Sequence, residues 1–189
     1  MKNIEIKVQI KNIEALLPAL RRLCVRKIGV IHQTDTYYNI ARGRLKVRET
    51  RNANVAELIY YHRPNTALAR ISAYSIVRVS SANVHQLKNI LVSVLGVYTN
   101  VRKERTLYKW RQTRIHIDRV EKLGWFLELE TPINGRSRVN AQKEYAHVYR
   151  ALALQTYDPI PTSYADLSLN SNKQLKEVHR AFHARKRKE

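Results

Sequence analysis

Residues 113–131 read TRIHIDRVEKLGWFLELET, and this stretch decides the fold class. Polar and apolar side chains alternate on both sides of a short central break, which is the two-residue period of a β-strand. In the second half, Glu128 and Glu130 lie on one face, and Leu127 and Leu129 lie on the other. The stretch therefore predicts an antiparallel hairpin with one charged face and one apolar face.

Strand patterns recur in six other segments, so about eight strands are expected. The clearest is Lys2 to Ile10, where isoleucine and valine alternate with polar residues. Because strands outnumber helices and several are joined by short turns, the simplest architecture is an antiparallel meander with a few covering helices. The remaining candidates are Asp35 to Asn39, Gly43 to Thr50, Val55 to His62, Arg70 to Val79 and Val97 to Tyr108.

Four helices are predicted from apolar residues at helical spacing. Asn12 is placed to cap the first helix, and Pro18 marks either a kink or a later start. Cys24 falls on the apolar face of that helix and is expected to be a packed thiol. The predicted spans are Asn12 to Gly29, Asn83 to Gly96, a segment that starts after Asn140, and a segment through Leu175, Val178 and Phe182.

The composition of the chain limits the classes of protein and of partner that are expected. The chain has 189 residues with 35 Lys and Arg against 15 Asp and Glu, a formal net charge of +20, which predicts anionic partners without choosing among nucleic acid, nucleotides and acidic membranes. A hydrophobic content of 44% excludes a disordered or low-complexity chain. One cysteine, a polar N-terminal segment and no long apolar run predict a protein of the cytoplasm with no membrane partner. The basic C-terminal segment makes a nuclear location the second option.

Cations recur at every second position in Arg42, Arg44, Lys46 and Arg48, so they are expected to project from one strand face. Like charges about 7 Å apart repel unless a polyanion lies opposite or water screens them. This face is therefore either plain solvent surface or the wall of an anion site, and the other charged strand faces favour the second interpretation. Those faces carry Glu5 with Lys7, Lys103 with Arg105, and Arg114 with His116 and Asp118.

Carboxylates are scarce in this chain, yet four of the 15 fall in the 113–131 hairpin. Acids at positions i and i+2 of one strand can bind a hard divalent cation such as Mg²⁺ or Mn²⁺. The alternative is that they pair with Arg and Lys across the strands. If the charged faces turn inward, the sheet closes into a barrel with a polar lumen, which suits a substrate of several phosphates chelated to a metal.

Seven stretches, in order along the chain, match the motifs of a known family. They are Asn3 to Lys7, Gln33 to Tyr38, Gly43 to Glu49, Leu58 to Pro64, Val101 to Arg105, His116 to Val120 with Leu123 to Glu130, and Ser163 to Leu167. Together they resemble the CYTH superfamily of triphosphate tunnel metalloenzymes, most closely its class IV adenylate cyclase-like branch. The resemblance implies an α+β fold, a closed eight-stranded antiparallel β-barrel with helices packed outside, over residues 1–169. A basic C-terminal helix or tail follows at 170–189.

The resemblance also implies roles for residues of the tunnel. Implied ligands of Mg²⁺ or Mn²⁺ are Glu5, Glu128 and Glu130, with Asp118 as a supporting ligand or a water-positioning acid. The implied triphosphate clamp is Lys7, Arg44, Lys46, Arg48, Arg63, Arg70, Lys103 and Arg105. The expected catalytic residues are Asp118, Lys7, Lys103 and Arg105. The family's first motif is Glu-x-Glu-x-Lys, and here Asn3 replaces its first acid, so a second metal ion is expected to bind more weakly.

Two reactions stay open on this scaffold, because the outcome depends on the nucleophile. One is cyclisation of ATP to cyclic AMP and pyrophosphate, and the other is hydrolysis of a nucleoside triphosphate or of another organic or inorganic triphosphate. A different class of function is a non-catalytic protein that binds a nucleotide, a polyphosphate or an RNA 5′ end. The cation excess, Asn3 and the basic tail favour binding alone, whereas the retained acids favour the enzyme. The tail also suggests RNA contact, and oligomeric state stays open.

Two further expectations concern side chains near the substrate. Tyr37, Tyr38, Tyr60 and Tyr61 are able to stack a purine at a tunnel mouth, although packing is the commoner role of tyrosine in strands. His116 is two residues from Asp118, and orienting that acid is its expected role.

Overall fold

The computed structural model describes residues 2–62, 70–133, 135 and 137–171, with the backbone alone at residue 70. All eight predicted strands are present and form one closed antiparallel barrel. They are β1 (Lys2–Ile10), β2 (Arg26–Tyr38), β3 (Arg44–Thr50), β4 (Val55–His62), β5 (Arg70–Ser80), β6 (Val97–Trp110), β7 (Thr113–Val120) and β8 (Gly124–Pro132). Around the barrel the order is β1, β5, β4, β3, β2, β6, β7 and β8, and β8 pairs with β1.

Helices cover the outside of the barrel. They are α1 (Leu17–Arg22), entered through a 3-10 turn at Glu14–Leu16, α2 (Ser81–Leu95), α3 (Arg138–Ala151) and α4, which begins at 164 and continues to 171, where the described chain ends. No helix in the described part of the chain is long and apolar enough to cross a lipid bilayer.

The main core lies between the barrel wall and helices α1 and α3. Alternate residues of β1, β7 and β8, among them Val8, Ile117 and Leu127, turn outward and are fully buried there. Leu20 of α1 and Val148 of α3 pack against this apolar wall. Because the apolar faces are outside under helices, the charged faces point into the lumen, as the sequence predicts.

The prediction for the first helix is wrong beyond Arg22. Asn12 does accept from the backbone N–H of Ala15 at 3.1 Å, and Pro18 lies in the first turn of α1, where its missing N–H breaks no helical bond. The chain then turns at Cys24, whose φ is +52° and whose side chain is exposed rather than packed. Residues 26–34, expected in the helix or in a loop, form the first part of β2 and pair with β6.

Two other expectations also need comment. Arg42 precedes β3 and is exposed, so it does not share the inner face of Arg44, Lys46 and Arg48 as predicted. The fourth predicted helix, through Leu175, Val178 and Phe182, lies outside the described residues.

One end of the barrel is closed by the segment 159–171. Its start pairs with β1, because Pro159 bridges Val8 and the N–H of Ile160 donates to the carbonyl of Lys7 at 2.7 Å. Tyr164, the first residue of α4, then packs with Tyr37, Val101, Val120 and Phe126 at the strand ends. We call this the closed end of the barrel.

Candidate functional site

A cavity of about 500 Å³ lies inside the barrel and contains the inward-facing side chains of the charged strands. A larger depression, about 930 Å³, lies on the outer surface along β6 and β7, but none of the predicted metal ligands lines it. The inner cavity is therefore the candidate site, and its volume suits a small molecule.

Asp35 of β2 organises one wall of the cavity. It is fully buried, and it accepts from Lys46 Nζ at 2.7 Å and from Arg48 Nε and Nη2 at 2.7 and 2.8 Å. Burial would raise the pKa of Asp35, but Arg48 and Lys46 hold it well below its ordinary value. Burial and Arg48 lower the pKa of Lys46 to about 7, despite its contact with Asp35. This wall presents buried cations on a fixed carboxylate.

A second buried carboxylate, Asp118 of β7, fixes cations on the neighbouring wall. Arg105 donates to both of its oxygens at 2.6 and 2.5 Å, and Lys103 Nζ lies 3.5 Å from Oδ2. Tyr164 of the closing segment donates to the same oxygen at 3.0 Å. Burial alone would raise the pKa of Asp118. The effect of Arg105 and Lys103 is larger and holds that pKa below its ordinary value, so the carboxylate is ionised at neutral pH.

The acidic wall comes from β7 and β8. One ligand atom each from His116, Glu128 and Glu130 lies within 4.8 Å of the other two. Arg105 Nη2 donates to Glu128 at 2.6 Å, and Arg114 Nη2 donates to Glu130 Oε2 at 2.8 Å. Burial would raise the pKa of Glu130, but His116 and Arg114 bring it to about 2, and Arg105 and Lys103 likewise lower the pKa of Glu128. Both carboxylates are therefore charged at neutral pH.

His116 completes this cluster. Burial and Arg105 lower the pKa of its imidazole to about 4, so the ring is neutral at pH 7. Its Nδ1 is buried 3.5 Å from Glu130 Oε1 and has no hydrogen-bond partner among the described residues. His116 thus lies against Glu130 and does not hydrogen-bond Asp118, the acid it was expected to orient. A buried imidazole nitrogen beside two carboxylates is a set of side chains that could hold a divalent cation.

Strand β1 brings three more polar residues to the cavity. Glu5 lies directly opposite Glu130 on β8, and Lys7 lies opposite Glu128. Lys7 Nζ donates to the carbonyl of Thr162 and lies 4.2 Å from the centre of the Tyr164 ring. Asn3 is buried beside Tyr74 and Arg114, and with its amide oriented to satisfy these neighbours its Oδ1 accepts from the Tyr74 hydroxyl at 3.2 Å and from Arg114 at 3.1 Å. A neutral amide therefore receives hydrogen bonds where the family motif has an acid.

Most of the predicted site residues meet in this cavity. Lining it are Glu5, Lys7, Lys46, Arg48, Lys103, Arg105, Glu128 and Glu130. Asp118 lies behind the cavity wall, where it holds Arg105. Arg44 faces the closed end instead, bound to Asp166 at 2.7 Å. Arg63 lies outside the described residues, and of Arg70 only the backbone is described, opposite Glu5.

The sequence analysis assigned no site role to four residues that the structure places at the site, although all four lie in stretches that match the family motifs: Asp35, Tyr164, Asp166 and His116 as a member of the acidic cluster. Asp35 follows the same two-residue alternation as Gln33 and Tyr37, so a face-by-face count of β2 would have placed it inside. The match of Ser163 to Leu167 to a family motif marks Tyr164 and Asp166 as residues of interest, but their part in closing the barrel depends on contacts between segments far apart in the chain.

A family comparison agrees with this geometry. The family model of the CYTH domain matches residues 1–164. The chain belongs to the CYTH domain family. The match spans the whole barrel and reaches Tyr164 of the closing segment of this CYTH domain. A search among curated proteins finds no match.

Solved structures share the fold of this CYTH domain. The PH1012 protein from Pyrococcus horikoshii OT3 is 24% identical, with a TM-score of 0.71, over 87% of this chain and 98% of that one. A candidate adenylate cyclase from Vibrio parahaemolyticus is 15% identical, with a TM-score of 0.65, over 87% and 95%. HpAC1 from Hippeastrum, a candidate adenylyl cyclase described as having a dominant triphosphatase activity, is 15% identical, with a TM-score of 0.57, over 87% and 93%. At these identities the similarity shows the fold.

Proposed function

We propose that this CYTH domain is a metal-dependent enzyme that cleaves an organic triphosphate inside its barrel. The observation that carries the proposal is the meeting of buried cations and ionised carboxylates in one cavity, beside the buried Nδ1 of His116. Glu128 and Glu130 pair with Arg105 and Arg114, as the alternative interpretation of the sequence expected, and they also lie close enough to His116 to share a cation. A site that bound only polyanions would gain by losing those glutamates.

The residues present fit one divalent cation. Glu128, Glu130 and His116 would hold it, with Glu5 beside Glu130, and the ion would supply charge neutralisation for the phosphate oxygens. Oxygen ligands suit both Mg²⁺ and Mn²⁺, whereas the imidazole favours Mn²⁺. Asn3 contributes no charge where the family motif has an acid, which supports one strong metal site rather than two.

The chain's own residues bind and orient the phosphate chain. Lys46 and Arg48 on one wall, and Lys103 and Arg105 on the next, are held by buried carboxylates before any substrate arrives. Cations fixed in this way stabilise charge that develops on phosphate oxygens without having to reorganise. Tyr164 and the segment around it exclude water from the end where Lys7 lies.

Hydrolysis to a diphosphate and phosphate is the reaction we propose first. Its support is the dominant triphosphatase activity described for HpAC1, which has the same fold. Cyclisation to a cyclic nucleotide and pyrophosphate is the second candidate. It is favoured by the concentration of Lys7, Lys46 and Lys103 towards the closed end, where they would hold pyrophosphate as the leaving group.

The deciding experiment incubates the pure protein with ATP, GTP, thiamine triphosphate and inorganic tripolyphosphate, with Mg²⁺ or Mn²⁺, and separates the products by chromatography. Orthophosphate with a diphosphate would establish the hydrolase, and cyclic nucleotide with pyrophosphate would establish the cyclase. Saturable binding with no turnover would refute the proposal in favour of a non-catalytic triphosphate-binding protein.

The metal site has its own test in Glu130→Gln, which keeps the shape of the side chain and removes its charge. We expect metal-dependent turnover to fall at least about 100-fold, because the cation loses a ligand. The variant should still fold, with a lower thermal unfolding midpoint, because Arg114 loses its ion-pair partner. Mn²⁺ affinity, followed by electron paramagnetic resonance, should fall in parallel. Glu121→Gln, in the exposed β7–β8 turn, is the matched control and should leave both unchanged. Full activity of Glu130→Gln would show that the metal lies elsewhere.

A further inference from the structure

An uncharged surface lies on the outside of the barrel, over β5 and the adjoining flank of α2. Five large apolar or aromatic side chains are exposed there, with exposed fractions from 37% to 74%. They are Tyr60 of β4, Ile71 and Val77 of β5, and Ile90 and Val94 of α2. We call these five residues the neutral face. None of them lines the inner cavity, and the proposed function makes no use of them.

Strand β5 contributes the middle of this face. Its residues Ser72, Tyr74 and Ile76 line the cavity, so the odd positions from 71 to 79 turn outward. Those outer residues are Ile71, Ala73, Ser75, Val77 and Val79; all five are uncharged, and the first four are exposed. On either side of β5 the barrel is covered, because outer residues of β1 pack under α1 and α3, and Ala56 and Leu58 of β4 pack against α2. The outer side of β5 is thus a bare strip between two covered regions.

Helix α2 continues the neutral face beside β5. Its 15 residues include one formal charge, Lys88, whose Nζ donates to Glu49 of β3 at 2.6 Å. Ile90 and Val94 are one turn apart on the flank that points away from Lys88. Since the Lys88 flank lies towards β3, the flank of Ile90 and Val94 lies on the side of β4 and β5. Leu91, between the two flanks, packs against the barrel.

This surface differs in charge from the rest of the chain. Charged residues make up 26% of the sequence, which would give about five among the twenty residues of α2 and the outer side of β5, but Lys88 is the single one. The exposed Ile28 and Val30 of β2, by contrast, follow directly on Arg26 and Lys27. Depletion of charge together with exposed aliphatic and aromatic side chains is the composition of the centre of a protein–protein interface.

The net charge of +20 restricts which partner fits this face. Nucleic acids and acidic proteins would gain more from the cationic surfaces elsewhere on the chain. Two copies of the chain repel each other wherever those cationic surfaces meet, and the neutral face is where that repulsion is weakest. We propose that the neutral face binds a second copy of this chain and forms a two-fold symmetric dimer.

The bare strip of β5 suits a contact in which both copies use the same residues. Ile71 and Val77 are six positions apart, which is about 20 Å along an extended strand. When two strips meet in opposite directions, Val77 of one copy lies near the partner's Ile71. Tyr60 is the register partner of Ser75 and lies beside the middle of the strip, where an aromatic side chain contributes most to an interface. Lys2 lies at the border of the face, and interface borders are polar.

Analytical ultracentrifugation of the full chain tests the dimer. At about 100 µM protein, the dimer fraction should rise as NaCl is raised from about 0.1 to about 0.5 M, because salt screens the repulsion between the two cationic bodies. A dimer held by ion pairs would respond to salt in the opposite direction. The salt dependence therefore distinguishes the neutral face from the charged surfaces.

A lysine in the neutral face should break the contact. Because a two-fold interface contains each substitution twice, we expect Val77→Lys to raise the dissociation constant of the dimer at least about 100-fold. The matched control is Val139→Lys on α3, since Val139 is 57% exposed and Val77 is 58% exposed. It adds the same charge away from the neutral face and should change the constant by less than about threefold. If circular dichroism shows that Val77→Lys does not fold, Val94→Lys tests the same face at a position that is 74% exposed.

Four results would overturn the inference. A parent that stays monomeric at about 200 µM protein and about 0.5 M NaCl would refute self-association and leave the face to a different protein. A dimer that dissociates as salt is raised would be held by charge. A dimer that persists unchanged in Val77→Lys would place the contact elsewhere. Equal weakening by Val77→Lys and Val139→Lys would show that net charge, rather than this face, controls association.

Discussion

Asp35 holds two cations of the proposed phosphate site in place, although it is not itself proposed to bind substrate. It is fully buried between Lys46 and Arg48. Asp35→Asn would leave both cations buried without their counter-charge, so we expect a loss of about 3 kcal/mol in the free energy of unfolding. Urea denaturation at pH 7 measures it. Asp158→Asn, at an exposed aspartate, should change the free energy by less than about 0.5 kcal/mol.

The same residue should make the free energy of unfolding depend on pH in the acid range. The folded pKa of Asp35 is well below its unfolded value of about 3.9. Its contribution to stability is therefore present above about pH 4 and is lost as the pH falls below that value. The difference in unfolding free energy between the parent and Asp35→Asn should shrink over that range. A difference that stayed constant down to pH 2 would show that Asp35 is not ionised in the folded protein.

Lys46 should make triphosphate binding depend on pH. Its pKa of about 7 in the folded protein means that the free site is partly deprotonated at neutral pH, whereas a bound polyanion favours the charged ammonium. Binding should therefore take up protons, and affinity should fall as the pH rises above about 7. Calorimetry at pH 8 in buffers of different ionisation enthalpy measures the uptake. Lys46→Met should lose both the uptake and part of the affinity, and uptake unchanged in that variant would assign it to another group.

The sequence predicts side chains on strand faces well, because a period of two needs no knowledge of the partner strand. Glu5, Lys7, Glu128 and Glu130 were placed in the lumen on that basis, and they line the cavity. The hydrogen-bond and ion-pair partners of these side chains are harder to predict, since they depend on strand register and on contacts distant in sequence. Asp118 has the right face, but Arg105 and Tyr164 take up its oxygens behind the cavity wall.

At the scale of elements, the barrel was predictable and the start of β2 was not. The eight strands show alternation or charged faces that persist over most of their length. Residues 20–29 contain leucines at helical spacing, and only pairing with β6 decides that 26–29 are extended. A long partner strand thus overrides a local pattern. The position of the closing helix α4 is likewise decided by contacts distant in sequence, because Tyr164 bonds Asp118 and Asp166 bonds Arg44.

The closing segment should contribute to stability mainly through one aromatic ring. The rings of Tyr164 and Phe126 pack edge-on with their centroids 5.0 Å apart. The ammonium groups of Lys7 and Lys103 lie over the Tyr164 ring. Tyr164→Ala should lower the free energy of unfolding by about 3 to 5 kcal/mol. Tyr164→Phe keeps the ring and loses only the bond to Asp118, so we expect a loss of about 1 kcal/mol. Equal losses in urea denaturation would assign the stability to the hydrogen bond rather than to packing.

At the scale of the molecule, the positive charge is concentrated in two separate parts of the chain. Inside the barrel, cations are fixed by buried carboxylates and belong to the cavity. By sequence, residues 173–189 carry seven cations and two acids, a net charge of +5, and they lie outside the described residues. A cluster of basic residues of this kind binds polyanions through charge alone, without recognising their shape. Such binding is strongly salt-dependent.

RNA binding should therefore depend on the tail, and triphosphate turnover should not. Replacing Arg185, Lys186, Arg187 and Lys188 with glutamine removes four charges from the full chain. For a single-stranded RNA with a 5′-hydroxyl, the slope of log K against log salt should become shallower by about 3, measured by fluorescence anisotropy. Four glutamines at the exposed body positions Lys11, Arg21, Arg22 and Lys143 are the control for net charge alone. If both variants reduced the slope equally, RNA would be responding to the overall charge, and the tail would have no special role.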